Sequence, residues 1–144
     1  MHATVRSVIE AVGGDAGEEV CILDTEASPE HLARGTARYA DAMFAVVEPY
    51  FKSLETGRRM AFLAKDLGLE RVALIANKIR DGRELEAVEE FAAAHELELA
   101  GSIPYDEALP ESERAKRAPL DHAPDAPAIA AIAELAQRVV DGRA

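Results

Sequence analysis

The stretch Val72-Ala73-Leu74-Ile75-Ala76-Asn77-Lys78 decides the fold, because five consecutive apolar residues are followed by an amide and an ammonium group. A short, continuous apolar run is typical of a strand covered on both faces, as in a parallel sheet. Comparable runs lie at residues 20–23, 43–47 and, more weakly, 97–103. We therefore predict four buried strands.

Helical periodicity marks the segments beside these strands. The clearest helix is predicted over residues 53–68, with Ser53 capping its start and Gly68 ending it in the left-handed conformation. Its apolar face comprises Met60, Leu63, Ala64 and Leu67. Two further stripes predict helices: Leu85, Val88, Phe91 and Ala92, and then Ile129, Ile132, Leu135, Ala136, Val139 and Val140, with Pro124 and Pro127 near the first turn. Residues 29–40 are predicted as a weaker helix or a mobile loop.

Strands and helices alternate about every 25 residues, which favours βαβ units with right-handed crossovers. The predicted fold class is α/β, with a mostly parallel, doubly wound sheet flanked by helices. No internal repeat, low-complexity tract or linker interrupts the sequence. We therefore interpret residues 1–144 as a single domain.

The composition is that of an acidic globular protein, with 49% apolar and 30% charged residues. The net charge of −11, from 27 acidic and 16 basic residues, disfavours a broad contact with nucleic acid or anionic lipid. No apolar run approaches the roughly 18 to 20 residues of a membrane span. Cys21, which has no second cysteine to pair with, is interpreted as core filling. These features predict a cytoplasmic protein.

Polar or turn-forming residues follow all four predicted strands. They are Asp24-Thr25-Glu26-Ala27-Ser28, Glu48-Pro49, Asn77-Lys78 and Pro104-Tyr105-Asp106. In open parallel sheets, ligands bind outside the carboxyl ends of the strands. The sequence therefore predicts a ligand site at this edge of the sheet.

The chemistry of these endings suits a magnesium nucleotide when they are taken together. Asp24 alone is equally typical of a turn or cap, and Asn77-Lys78 alone is more typical of a solvated lysine after a strand. Asp24 is a hard oxygen ligand that can reach Mg²⁺ directly or through a bound water. The Asn77 amide carries both a donor and an acceptor, so it can read the edge of a purine base. Lys78 can lay its aliphatic stem along the base plane.

No stretch of the sequence has the pattern of a phosphate-binding loop, in which glycines are followed by Lys and Ser or Thr at the start of a helix. The glycines of residues 13–17 precede Glu18 and Glu19, which would repel phosphates. We interpret this stretch as a turn. The four histidines lack metal-ligand spacing, and no serine or cysteine has the context of a nucleophile.

Taken in order, these segments resemble the MinD/ParA-like P-loop ATPases, and among them the carbon monoxide dehydrogenase maturation, or CooC-like nickel-insertion, ATPases. The resemblance extends over nearly the whole chain, and its specificity comes from the collinear order of the motifs. The motifs are residues 24–36, Val46-Val47-Glu48-Pro49-Tyr50, Ser53-Leu54-Glu55-Thr56, Ala76-Asn77-Lys78 and Ile103-Pro104-Tyr105-Asp106.

The resemblance implies a role for each motif. Asp24 would be the Walker B carboxylate that contacts Mg²⁺ through water, and residues 24–36, with Glu26 and His31, would form a switch that senses the γ-phosphate. The adenine of ATP or ADP would be surrounded by Asn77, Lys78, Pro104, Tyr105 and Asp106. The resemblance also implies a homodimer that holds ATP between its subunits, and a metalloenzyme client.

The sequence departs from the family pattern in two places. Ser28 stands where a glycine is expected in the switch. The family's first strand, its Gly-Lys-rich phosphate loop and a Cys-x-Cys metal motif would precede the region that resembles residues 2–6. That strand would lie beside the strand bearing Asp24, so its absence would leave unpaired backbone groups. We therefore expect base-side and switch residues, but little ATP turnover by the chain alone.

Three hypotheses account for this pattern. The first is the C-terminal portion of a maturation ATPase, incomplete at its N-terminus, which the DNA upstream of Met1 would test. The second is a non-catalytic regulatory or dimerisation module that pairs with a complete ATPase subunit, and an ATP turnover abolished by Asp24→Asn would exclude it. The third is an unrelated flavodoxin-like domain with Asp24 as an acceptor or metal-binding carboxylate, which leaves the adenine-side motifs unexplained.

Overall fold

The structure is a computed structural model that describes residues 20–25 and 40–140. Within these ranges three strands and five helices follow one another along the chain. They are β1 (Ala42–Val47), α1 (Phe51–Asp66), β2 (Arg71–Ile79), α2 (Gly82–Ala94), β3 (Glu98–Pro104), α3 (Ala108–Arg114), α4 (Pro119–His122) and α5 (Pro127–Val140). The strands form a parallel sheet in the order β1-β2-β3, which confirms the predicted α/β class.

The main core lies between the sheet and the helices α1 and α2. Leu74 of β2 and Val88 of α2 are fully buried within it. Helix α1 packs against β1 and β2, and helix α2 packs against β2 and β3. Strand β2 is therefore central, which explains the nearly continuous apolar run of residues 72–76.

Helix α5 packs on β3 at the other face of the sheet. Gly101 pairs with Ile75, the neighbour of the core residue Leu74, so it faces away from the main core. A Cβ added at Gly101 would lie 2.8 Å from Leu135 Cδ2 of α5. The guanidinium of Arg138 donates a hydrogen bond of 2.8 Å to the backbone oxygen of residue 100, which ties α5 to the irregular part of β3.

The apolar stripe predicted for α5 is buried only in part. Ile129 is buried near the start of the helix, but Ile132 is 42% exposed and Val140 is 63% exposed. Pro127 is the first residue of the helix, as the sequence predicts. Leu135, which lies against Gly101, and Val139 are half-buried, so the stripe contacts the rest of the fold at separate positions along the helix.

The strand predicted over residues 20–23 is wrong. Residues 20–25 belong to no strand, and Ile22 is 85% exposed. Cys21 is also exposed, so its interpretation as core filling is wrong. A strand requires a neighbour for its backbone N–H and C=O groups, and within the described ranges no strand pairs with this segment. An apolar run without a ladder partner remains outside the sheet.

Helix α1 begins two residues before its predicted cap. Tyr50 occupies the N-cap position and makes no side-chain capping hydrogen bond. The Ser53 hydroxyl instead accepts a hydrogen bond of 2.9 Å from the backbone N–H of Glu48. At the other end, Gly68 has a φ of 93°, which confirms the predicted left-handed ending.

Residues 1–19, 26–39 and 141–144 lie outside the described residues. The turn at 13–17, all but the last residue of the helix or loop predicted over 29–40, and the switch residues Glu26 and His31 therefore stay predictions. Within the described ranges, no helix combines the length and the apolar character needed to cross a membrane.

The carboxylate of Glu55 on α1 makes the stability of the fold depend on pH. It accepts hydrogen bonds from Arg58 Nη2 at 2.7 Å, Arg58 Nε at 2.8 Å and Arg59 Nε at 3.0 Å. These bonds, that of Arg58 first, lower the pKa of Glu55 from 4.5 to about 2. The stabilisation is therefore complete above pH 4.5 and is lost as the pH falls to about 2.

We expect thermal unfolding to reveal this dependence as a small effect, because the three side chains are in contact with water. Wild type should melt above Glu55→Gln at pH 7, and the difference should vanish towards pH 2. Glu86→Gln on α2 removes a carboxylate that makes no hydrogen bond with a described residue, so it serves as the control. A difference in melting temperature between wild type and Glu55→Gln that stays constant with pH would contradict the prediction.

Candidate functional site

A cavity of about 710 Å³ opens at the carboxyl ends of the three strands. Glu48 follows β1, Asn77 and Lys78 lie near the end of β2, and Pro104 ends β3. The remaining wall is formed by Arg80, Tyr105, Asp106, Leu109, Pro110, Ser112, Glu113, Arg117 and Pro119. The cavity therefore lies at the sheet edge where the sequence predicts a ligand site, and it contains all five predicted adenine-side residues.

Asn77 and Lys78 form a bulge in β2. Ala76 pairs with Ser102 and Ile79 pairs with Pro104, so β2 has one more residue than β3 over this interval. Strand β2 thus continues through Ile79, and the prediction that it ends before Asn77 is wrong. The extra residue interrupts the ladder, and a bulge of this kind changes the direction in which a side chain points.

The backbone of Lys78 adopts a conformation that non-glycine residues rarely adopt. Its φ is 59°, in the left-handed region. The side-chain oxygen Oδ1 of Asn77 accepts a hydrogen bond of 3.0 Å from the Lys78 backbone N–H. The Asn77 side chain thereby stabilises the bulge, while its amide group remains a hydrogen-bond donor at the cavity wall. Such local strain is often concentrated at functional sites.

The ammonium of Lys78 forms an ion pair with Glu48. Lys78 Nζ donates to Glu48 Oε1 at 2.8 Å, and this hydrogen bond raises the pKa of Lys78. The side chains of Lys78 and Glu48 are 51% and 35% exposed, so water screens the pair. The pair therefore fixes the position of the ammonium more than it stabilises the fold.

Tyr105 is held against the end of β2. Its backbone N–H donates to the Ile79 oxygen at 2.8 Å, and its hydroxyl donates to Glu107 Oε1 at 2.8 Å. The bond to Glu107 raises the pKa of the Tyr105 hydroxyl. The guanidinium carbon of Arg80 lies 4.4 Å from the centre of the Tyr105 ring, within cation–π range. Tyr105 and Arg80 thus form a stacked pair at the cavity.

Asp106 lines the cavity, but backbone groups engage both of its carboxylate oxygens. Oδ1 accepts a hydrogen bond of 2.9 Å from the N–H of Ala108, and Oδ2 accepts one of 3.2 Å from the N–H of Ala128. These amides lie at the starts of α3 and α5, where N–H groups have no partner within the helix. Asp106 therefore joins two helix starts, a structural role that the sequence analysis did not predict.

Asp24 is not brought into the cavity. It is exposed within the segment 20–25, and it does not belong to the described residues that line the cavity. In the described part of the chain, no group of three or more His, Cys, Asp or Glu side chains is arranged to hold a metal ion. The described residues therefore form no protein-only cage for Mg²⁺, and Asp24 would supply a single carboxylate.

Sequence reasoning missed the outer wall of the cavity. The short helices α3 and α4, which supply Leu109, Ser112 and Pro119, were not predicted, because neither has room for a periodic apolar stripe. Arg80 and Arg117 were also missed. Arg80 follows Asn77 and Lys78 by two to three positions, and this proximity is the only sequence signal that could have identified it.

Sequence comparison identifies relatives, although no family model matches the chain. An uncharacterized ATP-binding protein of Methanocaldococcus jannaschii is 43% identical over 99 residues, which cover 67% of this chain and 37% of the relative. The carbon monoxide dehydrogenase accessory protein CooC of Rhodospirillum rubrum is 33% identical over 114 residues, which cover 79% of this chain and 42% of CooC. The chain thus spans less than half the length of both relatives.

Solved structures share the fold at lower sequence identity. The ParA family ATPase of Chlorobium tepidum TLS superposes with a TM-score of 0.65 at 23% identity, over 78% of this chain and 47% of that one. The MinD cell division protein of Aquifex aeolicus superposes with a TM-score of 0.63 at 22% identity, over 75% of this chain and 47% of that one. The chain is therefore related in sequence to ATP-binding proteins and to the CooC accessory protein, and it has the fold of the MinD/ParA-like P-loop ATPases.

Proposed function

We propose that the cavity binds the adenine end of ATP or ADP, as part of a MinD/ParA-like ATPase that serves metallocentre maturation. One observation carries the proposal: Asn77, Lys78, Pro104, Tyr105 and Asp106, which the sequence analysis singled out, all line one cavity. The similarity to ATP-binding relatives supports a nucleotide as the ligand. The similarity to a carbon monoxide dehydrogenase accessory protein supports an accessory role for a metalloenzyme, and we propose nickel insertion as that role.

The chemistry of the wall matches a purine. Asn77 presents an amide donor at the bulge, and its Oδ1 keeps a second lone pair beside the one that accepts from Lys78. The stem of Lys78 and the ring of Pro104 offer apolar surface for the flat faces of a base. Ligand pockets are typically apolar with a few oriented polar groups, and this wall follows that composition.

Groups that bind the phosphates are proposed to come from a partner subunit, because no stretch of this sequence has the pattern of a phosphate-binding loop. Mg²⁺ in nucleotide sites is held largely by phosphates and water, with one or two carboxylates. Asp24 is the residue that we propose for the carboxylate, acting through water. A bound Mg²⁺ would neutralise phosphate charge.

The proposed assembly is a homodimer, or a pair with a complete ATPase subunit, that acts on a metalloenzyme client in the cytoplasm. Glu26 and His31 are proposed to belong to its nucleotide-sensing switch. The similarity to an accessory protein of a metalloenzyme supports such a client.

Replacing Asn77 with Ala tests the proposed base site. We expect about tenfold weaker ATP binding and a smaller preference for ATP over GTP, because a buried edge contact to the base is lost. The melting temperature should fall only slightly, because the hydrogen bond from Lys78 that the substitution removes from the bulge is exposed to water. Isothermal titration with ATP, ADP and GTP, with and without Mg²⁺, measures the affinities.

Thr56→Ala is the control, since Thr56 donates locally to the Lys52 oxygen on α1 and lies outside the cavity lining. The control should bind ATP like wild type. Wild type that binds no adenine nucleotide, or Asn77→Ala that binds ATP and GTP as wild type does, would refute the proposed base site.

A further inference from the structure

Glu48 joins the carboxyl ends of β1 and β2 inside the cavity. Val47 pairs with Ala76 in the parallel ladder, so Glu48 comes next to the bulge in β2. Its Oε1 atom lies 2.8 Å from Lys78 Nζ, across 30 positions of sequence. The carboxylate therefore reaches the residue whose stem the proposed function places along the base.

The backbone of Glu48 is itself held in place. Its N–H donates to the Ser53 hydroxyl at 2.9 Å, and its carbonyl accepts a hydrogen bond of 2.8 Å from the N–H of Tyr50. Both partners belong to the first turn of α1 or to its N-cap. The carboxylate thus projects from a braced turn, which gives the ammonium of Lys78 a defined place to bind.

Lys78 is consequently fixed at both ends. Its backbone is held in the left-handed region by the hydrogen bond to Asn77, and its ammonium is held by Glu48. A lysine stem is otherwise flexible and loses much rotational freedom when it becomes ordered. With both ends held, the four methylene groups between them follow one path along the cavity wall.

We propose that Glu48 is a positioning residue that orders the stem of Lys78 for stacking on a purine base. The proposal rests on the proposed function, because it concerns the same cavity and ligand. Glu48 acts through Lys78 and needs no contact with the base. Pre-ordering the stem removes an entropy cost that binding would otherwise incur, so Glu48 strengthens base binding.

Adenosine is the probe of choice, because it lacks phosphates. Removing an acidic side chain changes the binding of a polyanion such as ATP through long-range charge effects, which a neutral nucleoside does not feel. Isothermal titration of wild type, Glu48→Ala, Lys78→Met and the double variant with adenosine would test the proposal. Lys78→Met keeps a flexible apolar stem and removes the charge.

Glu48→Ala should weaken adenosine binding about threefold, the scale expected for a partly exposed ion pair. In the Lys78→Met background, Glu48→Ala should have no further effect, because its partner is absent. Glu48→Gln should retain part of the affinity, since its side-chain oxygen still accepts a hydrogen bond from Lys78. Glu86→Ala, which removes an acidic group from α2 outside the cavity lining, should bind adenosine as wild type does.

The outcomes separate this inference from the proposed function. If wild type binds adenosine and Glu48→Ala binds it equally well, the inference is overturned and the proposed function stands. The inference is also overturned if Glu48→Ala and Lys78→Met weaken adenosine binding independently of each other. A lower melting temperature of Glu48→Ala that Glu48→Gln does not restore would assign Glu48 a purely structural role and likewise overturn the inference. If wild type binds neither adenosine nor ATP, the proposed function fails and the inference fails with it.

Discussion

Asp106→Ala is expected to lower the free energy of unfolding by about 2 kcal/mol, since each capping hydrogen bond contributes about 1 kcal/mol. The substitution leaves the N–H groups of Ala108 and Ala128 without their carboxylate partner. These amides lie at the starts of two helices and are 20 residues apart in sequence. Loss of the two hydrogen bonds therefore loosens the cavity wall and the contact of α5 with the sheet. Urea denaturation followed by circular dichroism measures the change.

Asp125→Ala is the matched control, because Asp125 is exposed and makes no hydrogen bond with a described residue. Its free energy of unfolding should lie within about 0.5 kcal/mol of that of wild type. Asp106→Asn should fall between wild type and Asp106→Ala, because one oxygen remains to accept one of the two bonds. Equal stability of Asp106→Ala and Asp125→Ala would rule out the joining role of Asp106.

Gly57→Ala is expected to destabilise the protein by about 1 to 3 kcal/mol, the range for overpacking a well-packed core. Intrinsic helix propensity predicts the opposite sign, because Ala favours a helix interior over Gly by about 1 kcal/mol. Gly57 lies in α1 where the helix crosses β1, and a Cβ at this position would overlap Cγ1 of the buried Val47. The contact therefore outweighs the propensity. Chemical denaturation gives the sign directly.

Gly82→Ala on α2 provides the contrast, since no atom beyond its chain neighbours and the backbone of its own helix lies within 4 Å of an added Cβ. That variant should be as stable as wild type or slightly more stable. In the Val47→Ala background, Gly57→Ala should lower the free energy of unfolding by less than it does in wild type, because the overlapping methyl group of Val47 is gone. A stabilised Gly57→Ala would show that α1 moves away from β1 without cost.

Asp106→Ala and Gly57→Ala affect parts of the fold that position the cavity. Gly57 sets the distance between α1 and β1, and the first turn of α1 braces the backbone of Glu48. Asp106 fixes the starts of α3 and α5, which place the outer wall. The site is therefore supported by packing on one side and by helix capping on the other.

Local sequence patterns determined much of this architecture. The apolar runs at residues 43–47, 72–76 and 97–103 correspond to β1, β2 and β3, and Gly68 ends α1 in the left-handed conformation as predicted. These signals are local, because strand burial, helix periodicity and glycine endings depend on neighbours along the chain. The parallel order of the strands then brings Asn77, Lys78 and Pro104 to one edge, so the predicted adenine-side residues share a cavity.

Contacts between distant residues determined the rest, and no local pattern encodes them. The apolar run at 20–23 resembles a strand, yet it lies outside the sheet because a strand forms only with a ladder partner. The bulge and left-handed backbone at Lys78, its ion pair with Glu48, and the two helix starts joined by Asp106 depend on register and packing across 20 to 30 residues. The sequence alone therefore determined the five adenine-side residues of the cavity. Tertiary structure decided its outer wall, the place of Asp24 outside the lining, and which lining residues also hold the fold together.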